Sequence, residues 1–133
     1  MGRTRTPAAA GIVLDAGALI ALDRGDKRMI ALLQRALAQR RTFRVPAGVV
    51  GQAWRDGRLQ ATLARFLRSE EVAIIPLDEH LARSCGELCA AANSPDVIGA
   101  SVVIIAREWR DPIVTSDPNG LRRLDPGAQI IPV

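Results

Sequence analysis

The chain has 133 residues, of which 48% are hydrophobic and 24% charged, and this composition excludes a disordered or fibrous protein. Its 18 basic and 14 acidic residues give a net charge of +4, which favours a polyanionic partner such as nucleic acid. No uncharged apolar stretch reaches the roughly 18 residues that a membrane-spanning helix needs, because Asp15 and Asp23 interrupt the best candidate. We therefore expect no association with a membrane.

The length is that of one ordinary domain, and no linker, internal repeat or low-complexity tract divides it. We expect residues 1–10, "MGRTRTPAAA", to form a mobile arm and residues 11–133 to form a single domain. Cys85 and Cys89 lie four residues apart among apolar neighbours at helical spacing, which favours reduced core thiols over a disulfide or a metal site. This cysteine usage predicts a reducing, cytoplasmic location.

Strand and helix patterns alternate along the chain. The segment "GIVLDAGALIAL" at residues 11–22 has the composition of a buried strand followed by a helix. Strand-like runs occur at residues 11–15, 42–45, 72–76, 113–116 and 129–131. Amphipathic or apolar helical patterns occur at residues 26–40, 58–68, 78–92 and 96–109. This alternation predicts an α/β fold of three layers, in which a central, mostly parallel sheet of four to five strands lies between helices.

Three aspartates stand where this fold would bring them to one edge of the sheet. Asp15 ends the first strand, Asp117 ends the fourth in "IVTSD", and Asp96 opens the most apolar helix in "SPDVIGA". Ligands of open α/β sheets bind at the carboxyl ends of the strands. We therefore expect the three carboxylates to converge there, and a divalent cation would relieve their mutual repulsion.

Oxygen ligands of this kind favour Mg²⁺ or Mn²⁺, which suit phosphate substrates. Such an ion can generate a hydroxide nucleophile from water and stabilise charge on a phosphate, so the constellation predicts phosphodiester hydrolysis. Each acid also has a plainer explanation: Asp96 and Asp117 are suited to capping a helix or a turn. Asp15 is harder to explain in this way, because it ends a buried strand. Asp78, which follows the third strand, is interpreted as a helix cap.

The motifs "IVLDAGALIAL", "DVIGASVVIIA" and "IVTSDPNGLRRL" resemble those of the PIN-domain ribonucleases, and in particular those of VapC-type toxins, over residues 11–133. The resemblance implies a Mg²⁺-dependent endoribonuclease with Asp15, Asp96 and Asp117 as its catalytic and metal-binding residues. It also implies a homodimer and a VapB-type antitoxin whose C-terminal tail enters or covers the cleft. Thr115 matches a hydroxyl beside the last acid, and its expected role is to position a metal-bound water.

The chain departs from this pattern on the helix after the second strand, where the family has a glutamate and this sequence has Gln52. An amide oxygen can still bind a cation, but the site carries one negative charge fewer. Asp56, four residues further on, would compensate if it shared a helical face with Gln52, and the alternative is a solvated residue in the "RDG" turn. Arginines that could hold an RNA backbone, or equally form a solvated helix face, are Arg55, Arg58 and Arg65.

The leading hypothesis from the sequence is a metal-dependent ribonuclease toxin that cuts a structured RNA, either a tRNA or a ribosomal RNA. One alternative is a PIN-like module that binds RNA or protein and whose catalysis is weakened by Gln52. The other alternative is a housekeeping nuclease of the same fold that acts in RNA processing.

Overall fold

The computed structural model describes residues 10–133, so the expected arm at residues 1–10 lies, apart from Ala10, outside the described residues. Within the described range, strands and helices follow one another in the order βααβααβααβαβ. The strands are β1 Gly11–Leu14, β2 Thr42–Pro46, β3 Val72–Ile75, β4 Ile113–Thr115 and β5 Ile130–Pro132. The helices are α1 Ala16–Asp23, α2 Lys27–Ala38, α3 Ala47–Ala53, α4 Ala61–Leu67, α5 Glu79–Ala92, α6 Val97–Trp109 and α7 Pro118–Leu124.

The five strands form one parallel sheet in the order β3-β2-β1-β4-β5, which confirms the predicted fold class. Strand β1 lies at the centre, with Val13 opposite Arg44 of β2 and Leu14 opposite Val114 of β4. All four residues of β1 are buried, as expected for a parallel strand covered on both faces. The carboxyl ends of β2, β1 and β4 therefore lie side by side.

The direction of the crossovers sorts the helices into two layers. The chain moves from β1 to β3 one way along the sheet and returns from β3 to β5 the other way. Because such crossovers are right-handed, the helices of the two halves cover opposite faces. The contacts agree, since α1 packs on α3 and α4, whereas α6 packs on α5 and α7. Helix α6 also lies against β1 and β2, and most of its residues from Gly99 to Ala106 are buried, as its composition predicts.

The helix expected at residues 58–68 begins later, at Ala61. A network of hydrogen bonds made by the Gln60 side chain replaces its first turn. The Gln60 carbonyl accepts the backbone N–H groups of Arg55 and Asp56 at 2.7 and 3.0 Å, and its amide donates to the Ala53 carbonyl at 2.9 Å. Leu59, which falls within the range expected to be helical, consequently lies outside the helix and is 83% exposed.

The opposite, amino-terminal end of the sheet contains a buried ion pair. Arg44 of β2 donates to Asp111 at 2.5 Å, and both side chains are almost fully buried. Asp111 also accepts the backbone N–H of Gly11 at 3.2 Å, and the Arg44 guanidinium lies 3.9 Å from the centre of the Trp109 ring. These contacts join β1 and β2 to the segment that connects α6 to β4.

Both cysteines are buried and make no disulfide, as predicted. Asp78 caps α5 by accepting the N–H of Leu81 at 2.9 Å, which also agrees with the sequence. No single helix among residues 10–133 is long and apolar enough to cross a membrane. Helices α5 and α6 satisfy the length and composition criteria only together, and the chain bends by 106° between them.

Candidate active site

The three predicted aspartates lie at the carboxyl edge of the sheet. Asp15 directly follows β1, Asp117 follows the neighbouring strand β4, and Asp96 precedes α6, which begins at the same edge. Together with Gln52 of α3 they line one cleft of about 210 Å³, which we call the acidic cleft. Residues separated by up to 102 positions in the chain thus share one surface, as the strand order predicts.

Each aspartate also caps the helix that follows it. The carboxylates of Asp15, Asp96 and Asp117 accept backbone N–H groups from Ala18 at 3.1 Å, Gly99 at 2.8 Å and Gly120 at 3.1 Å. Capping, the plainer explanation of these acids, is therefore observed. It does not account for their convergence on one cleft, because Asp26 and Asp78 cap α2 and α5 in the same way and do not line it.

Thr115 links two of the acids. Its side chain is fully buried at the end of β4; its hydroxyl donates to Asp15 and accepts the backbone N–H of Asp117 at 2.8 Å. The single hydroxyl proton is thus directed at Asp15. The resemblance implies that this hydroxyl positions a metal-bound water, and that role stays a prediction. In the structure the hydroxyl holds the Asp15 carboxylate and the Asp117 backbone in a fixed relation.

The acidic cleft raises the pKa of the Asp15 carboxyl above its usual value of 3.8. Burial is the main cause, because it disfavours the charged form. Hydrogen bonds from Thr115, Ala18 and Gly17 act in the opposite direction, and the negative charge of Asp117 raises the pKa further. A cation would stabilise both carboxylates, because it would offset the repulsion between them and the partial burial of Asp15.

Two glycines allow the elements that carry the site to approach one another. A Cβ atom at Gly17 in α1 would overlap the Ser116 hydroxyl and lie 2.8 Å from the Ser116 Cβ. A Cβ atom at Gly48 in α3 would overlap the end of Ile98 in α6. Gly17 therefore brings the Asp15 and Asp117 segments together, and Gly48 does the same for the helices that carry Gln52 and Asp96.

The donor set of the acidic cleft fits a hard divalent cation, since it consists of carboxylate and amide oxygens. The chemistry of the donor atoms does not by itself fix their positions relative to one another. Within residues 10–133 no group of three or more His, Cys, Asp or Glu side chains is arranged to hold a metal ion. One oxygen of each aspartate is instead hydrogen-bonded to the first turn of its own helix.

Asp56 does not share a helical face with Gln52, so that expectation is wrong. Helix α3 ends at Ala53, and Asp56 lies in the following turn, outside the residues that line the acidic cleft. Its carboxylate accepts the backbone N–H of Arg58 at 2.9 Å and pairs with the Arg58 guanidinium at 3.4 Å. The alternative, a residue of the "RDG" turn, describes its position.

Of the three candidate RNA-binding arginines, only Arg55 adjoins the acidic cleft. It lines a neighbouring groove of about 290 Å³ with Arg24, and Gln52 lies on the boundary between the groove and the cleft. The Arg58 side chain is 91% exposed and pairs with Asp56, and Arg65 lines a different groove beside Leu33 and Phe66. Sequence reasoning assigned no role to Gly17 and Ser116, although both lie inside the quoted motifs, and it missed Arg24, which lies outside them.

No protein-family model matches the chain, and no curated protein matches it either. The fold of the chain, however, matches that of solved structures. A chain of VapBC2 from Rickettsia felis, in a crystal structure with a DNA fragment from their promoter, superposes with a TM-score of 0.65 at 16% identity, covering 92% of this chain and 98% of that one. Mycobacterium tuberculosis VapC20, described as a toxin that cleaves the sarcin–ricin loop, superposes with a TM-score of 0.64 at 16% identity, covering 88% and 95%. The chain therefore has the PIN-like fold of VapC-type toxins.

Proposed function

We propose that the protein is an endoribonuclease that depends on Mg²⁺ or Mn²⁺ and acts as the toxin of a toxin–antitoxin pair. Its substrate would be a structured RNA, either a tRNA or a ribosomal RNA. The observation that carries the proposal is the meeting of Asp15, Asp96 and Asp117 in one cleft at the carboxyl edge of the sheet. The fold supports it, because VapC20, which shares the fold, is described as a toxin that cleaves the sarcin–ricin loop.

The residues that would hold the cation are Asp15, Asp96 and Asp117, with the Gln52 carbonyl as an additional oxygen ligand. When bound, a divalent cation neutralises the carboxylates, activates water at neutral pH and stabilises charge that develops on the phosphate. The chain contributes the positions of the acids. Thr115 fixes Asp15 relative to Asp117, and the start of α6 holds Asp96 against the same cleft.

A path for the RNA backbone leads away from the acidic cleft past Gln52. The neighbouring groove is lined by Arg24 and Arg55, whose guanidinium groups suit phosphate oxygens, and by Asp23, whose carboxylate accepts the backbone N–H of Leu63. Arg55 is partly preorganised, because its guanidinium donates to the carbonyls of Gly51 and Trp54 at 3.0 and 2.7 Å. Cleavage in the cleft would therefore be accompanied by phosphate contacts on its Gln52 side.

The proposed partners are a VapB-type antitoxin and a second copy of this chain, in the cytoplasm. The VapBC2 structure supports the first, since its chain with this fold belongs to a VapBC2 complex bound to promoter DNA. The net charge of +4 supports an acidic partner.

A second candidate function rests on Gln52. Because this residue places a neutral amide in the acidic cleft, the cleft is less negative than one with four carboxylates. A protein with this fold and weakened cation binding would bind RNA or a protein partner without cutting RNA. Metal-dependent cleavage separates the two candidates.

The test is an incubation of the purified, antitoxin-free protein with total RNA, with and without Mg²⁺ or Mn²⁺. We expect discrete cuts that require the cation and disappear in Asp15→Asn. Asp78→Asn is a matched control, because Asp78 caps a helix in the same way but lies outside the acidic cleft, and it should cut like the wild type. Intact RNA in every lane would contradict the nuclease proposal and favour the binding module.

A further inference from the structure

Five helices of the described chain are directly preceded by an aspartate that accepts a backbone N–H group from the third residue of the helix. The pairs are Asp15 with Ala18, Asp26 with Met29, Asp78 with Leu81, Asp96 with Gly99 and Asp117 with Gly120. Glycine occupies the third position only behind Asp96 and Asp117, two acids of the acidic cleft. Glycine is a poor helix former, so its presence inside α6 and α7 calls for a reason.

Capping itself does not require glycine. Asp26 and Asp78 accept the N–H groups of Met29 and Leu81 at 2.8 and 2.9 Å, as short as the bonds to Gly99 and Gly120 at 2.8 and 3.1 Å. Large side chains at the third helical position are therefore compatible with a strong cap. The two glycines serve something other than the hydrogen bond.

The space above the two glycines is occupied by the carboxylates themselves. A Cβ atom at Gly99 would overlap Oδ2 of Asp96 and lie 2.7 Å from its Cγ. A Cβ atom at Gly120 would overlap Oδ2 of Asp117 and lie 2.9 Å from its Cγ. Two independent helices thus repeat one arrangement, in which the second carboxylate oxygen lies where a side chain would begin.

These Oδ2 atoms are the carboxylate oxygens that take no part in capping. In both residues Oδ1 accepts the N–H of the glycine, and no described group donates to Oδ2. If the acidic cleft binds a cation, Oδ2 is the oxygen available to it. An added methyl group would turn the carboxylate about its Cβ–Cγ bond and move that oxygen.

We propose that Gly99 and Gly120 are positioning residues of the cation site, which leave room for the Oδ2 atoms of Asp96 and Asp117 to lie against their own helices. The inference rests on the proposed function, since it assigns these oxygens to the cation. It predicts that a single methyl group at either position weakens cation binding while the helix itself is preserved or strengthened, because alanine favours helix more than glycine does.

The test compares Mn²⁺ binding by calorimetry and metal-free thermal unfolding in the wild type, Gly99→Ala, Gly120→Ala and Gly86→Ala. Gly86 is the matched control, because it lies within α5 and a Cβ atom there would meet nothing within 4 Å. We expect Gly99→Ala and Gly120→Ala to bind Mn²⁺ about 10- to 100-fold more weakly, as is typical when the support of a metal ligand is altered. Their midpoints of unfolding should equal or exceed that of the wild type, and Gly86→Ala should bind like the wild type.

Equal Mn²⁺ affinity in the wild type and in both cleft variants would overturn the inference and leave the proposed function intact. Weaker binding accompanied by a lower midpoint of unfolding would also overturn it, because the glycines would then serve folding. Absence of Mn²⁺ binding by the wild type would overturn the cation site and this inference together.

Discussion

At the scale of single residues, Asp15 lies in an environment that disfavours its charged form, and hydrogen bonds fix its position. Burial raises the pKa of its carboxyl, while the Thr115 hydroxyl and two backbone N–H groups favour the charged form. Because the folded state binds this proton more tightly than the unfolded state, the associated stability is present below pH 3.8 and is lost as the pH rises through the raised pKa. The metal-free protein at neutral pH therefore contains a destabilising charge.

Asp15→Asn should consequently stabilise the metal-free protein at neutral pH, although it abolishes the proposed activity. The asparagine carbonyl can still cap α1, because asparagine is as good an N-cap as aspartate, and the amide can donate to the Thr115 hydroxyl oxygen in place of the bond that Oδ2 of Asp15 accepts. The measurement is thermal unfolding of both proteins in chelator between pH 3 and pH 8. The advantage of the variant should be present near neutrality and shrink in acid, and a lower midpoint than the wild type at pH 7 would contradict this account of Asp15.

Gln52 offers a substitution that should increase activity. Gln52→Glu adds a fourth carboxylate to the acidic cleft, so we expect Mn²⁺ to bind about tenfold more tightly, within the range over which ligand charge tunes such sites. RNA cleavage should also become faster. The metal-free variant should unfold at a lower temperature because like charges are brought together. Calorimetry and a cleavage time course check this, and unchanged affinity would show that residue 52 does not face the cation.

Single residues were predictable to different degrees. Asp15, Asp96 and Asp117 could be identified because each follows or precedes an element whose pattern is clear. The linking position of Thr115, and the space that Gly99 and Gly120 leave for a carboxylate, could not be identified. These features depend on distances across elements, which spacing along the chain does not encode.

At the scale of elements, the residue that caps helix α6 has two roles. Asp96 caps the helix through the Gly99 N–H and also lines the acidic cleft. Asp96→Ala removes both contributions and should lower the free energy of unfolding by about 1 kcal/mol, the usual effect of losing an N-cap. Asp96→Asn keeps the cap and removes only the charge.

Urea unfolding and RNA cleavage of these two variants separate the roles. We expect Asp96→Asn to retain the stability of the wild type and Asp96→Ala to lose it, while both lose cleavage. Retained cleavage in Asp96→Asn would show that Asp96 serves only as a cap.

The elements themselves were largely predictable from periodicity. Strands β1 to β5 and helices α2, α5 and α6 lie within a few residues of their expected positions, because each buries a regular apolar pattern. Helix α4 starts late because hydrogen bonds of the Gln60 side chain hold residues 53–56 in a turn, and a periodic pattern carries no sign of such bonds. The same turn removes Asp56 from the helix on which it was expected.

At the scale of the whole molecule, charged side chains are arranged differently at the two ends of the sheet. The acidic cleft at the carboxyl edge gathers carboxylates, whereas at the opposite end Asp111 is neutralised by Arg44 at 2.5 Å. The carboxyl edge is suited to binding a cation, whereas the ion pair at the opposite end stabilises the fold. Neither Arg44 nor Asp111 was predicted, because an arginine inside a strand pattern indicates an exposed position.

Asp111→Ala should therefore destabilise the protein without altering the acidic cleft. Loss of the buried ion-pair partner and of the bond to Gly11 should lower the free energy of unfolding by about 3 kcal/mol. At a temperature at which both proteins are folded, the variant should cleave RNA at the rate of the wild type. Urea unfolding and a cleavage assay check this, and a loss of activity in the folded variant would show that the two ends are coupled.

We expect acids from distant parts of the chain to act as one catalytic unit. The Mg²⁺-dependent RNA cleavage rates of Asp15→Asn, Asp117→Asn and the double variant distinguish this from independent roles. Residues that act as a unit show strongly non-additive losses, so each single variant should lose about as much rate as the double variant. Independent losses that multiply in the double variant, or a single variant that cleaves at the wild-type rate, would contradict the account.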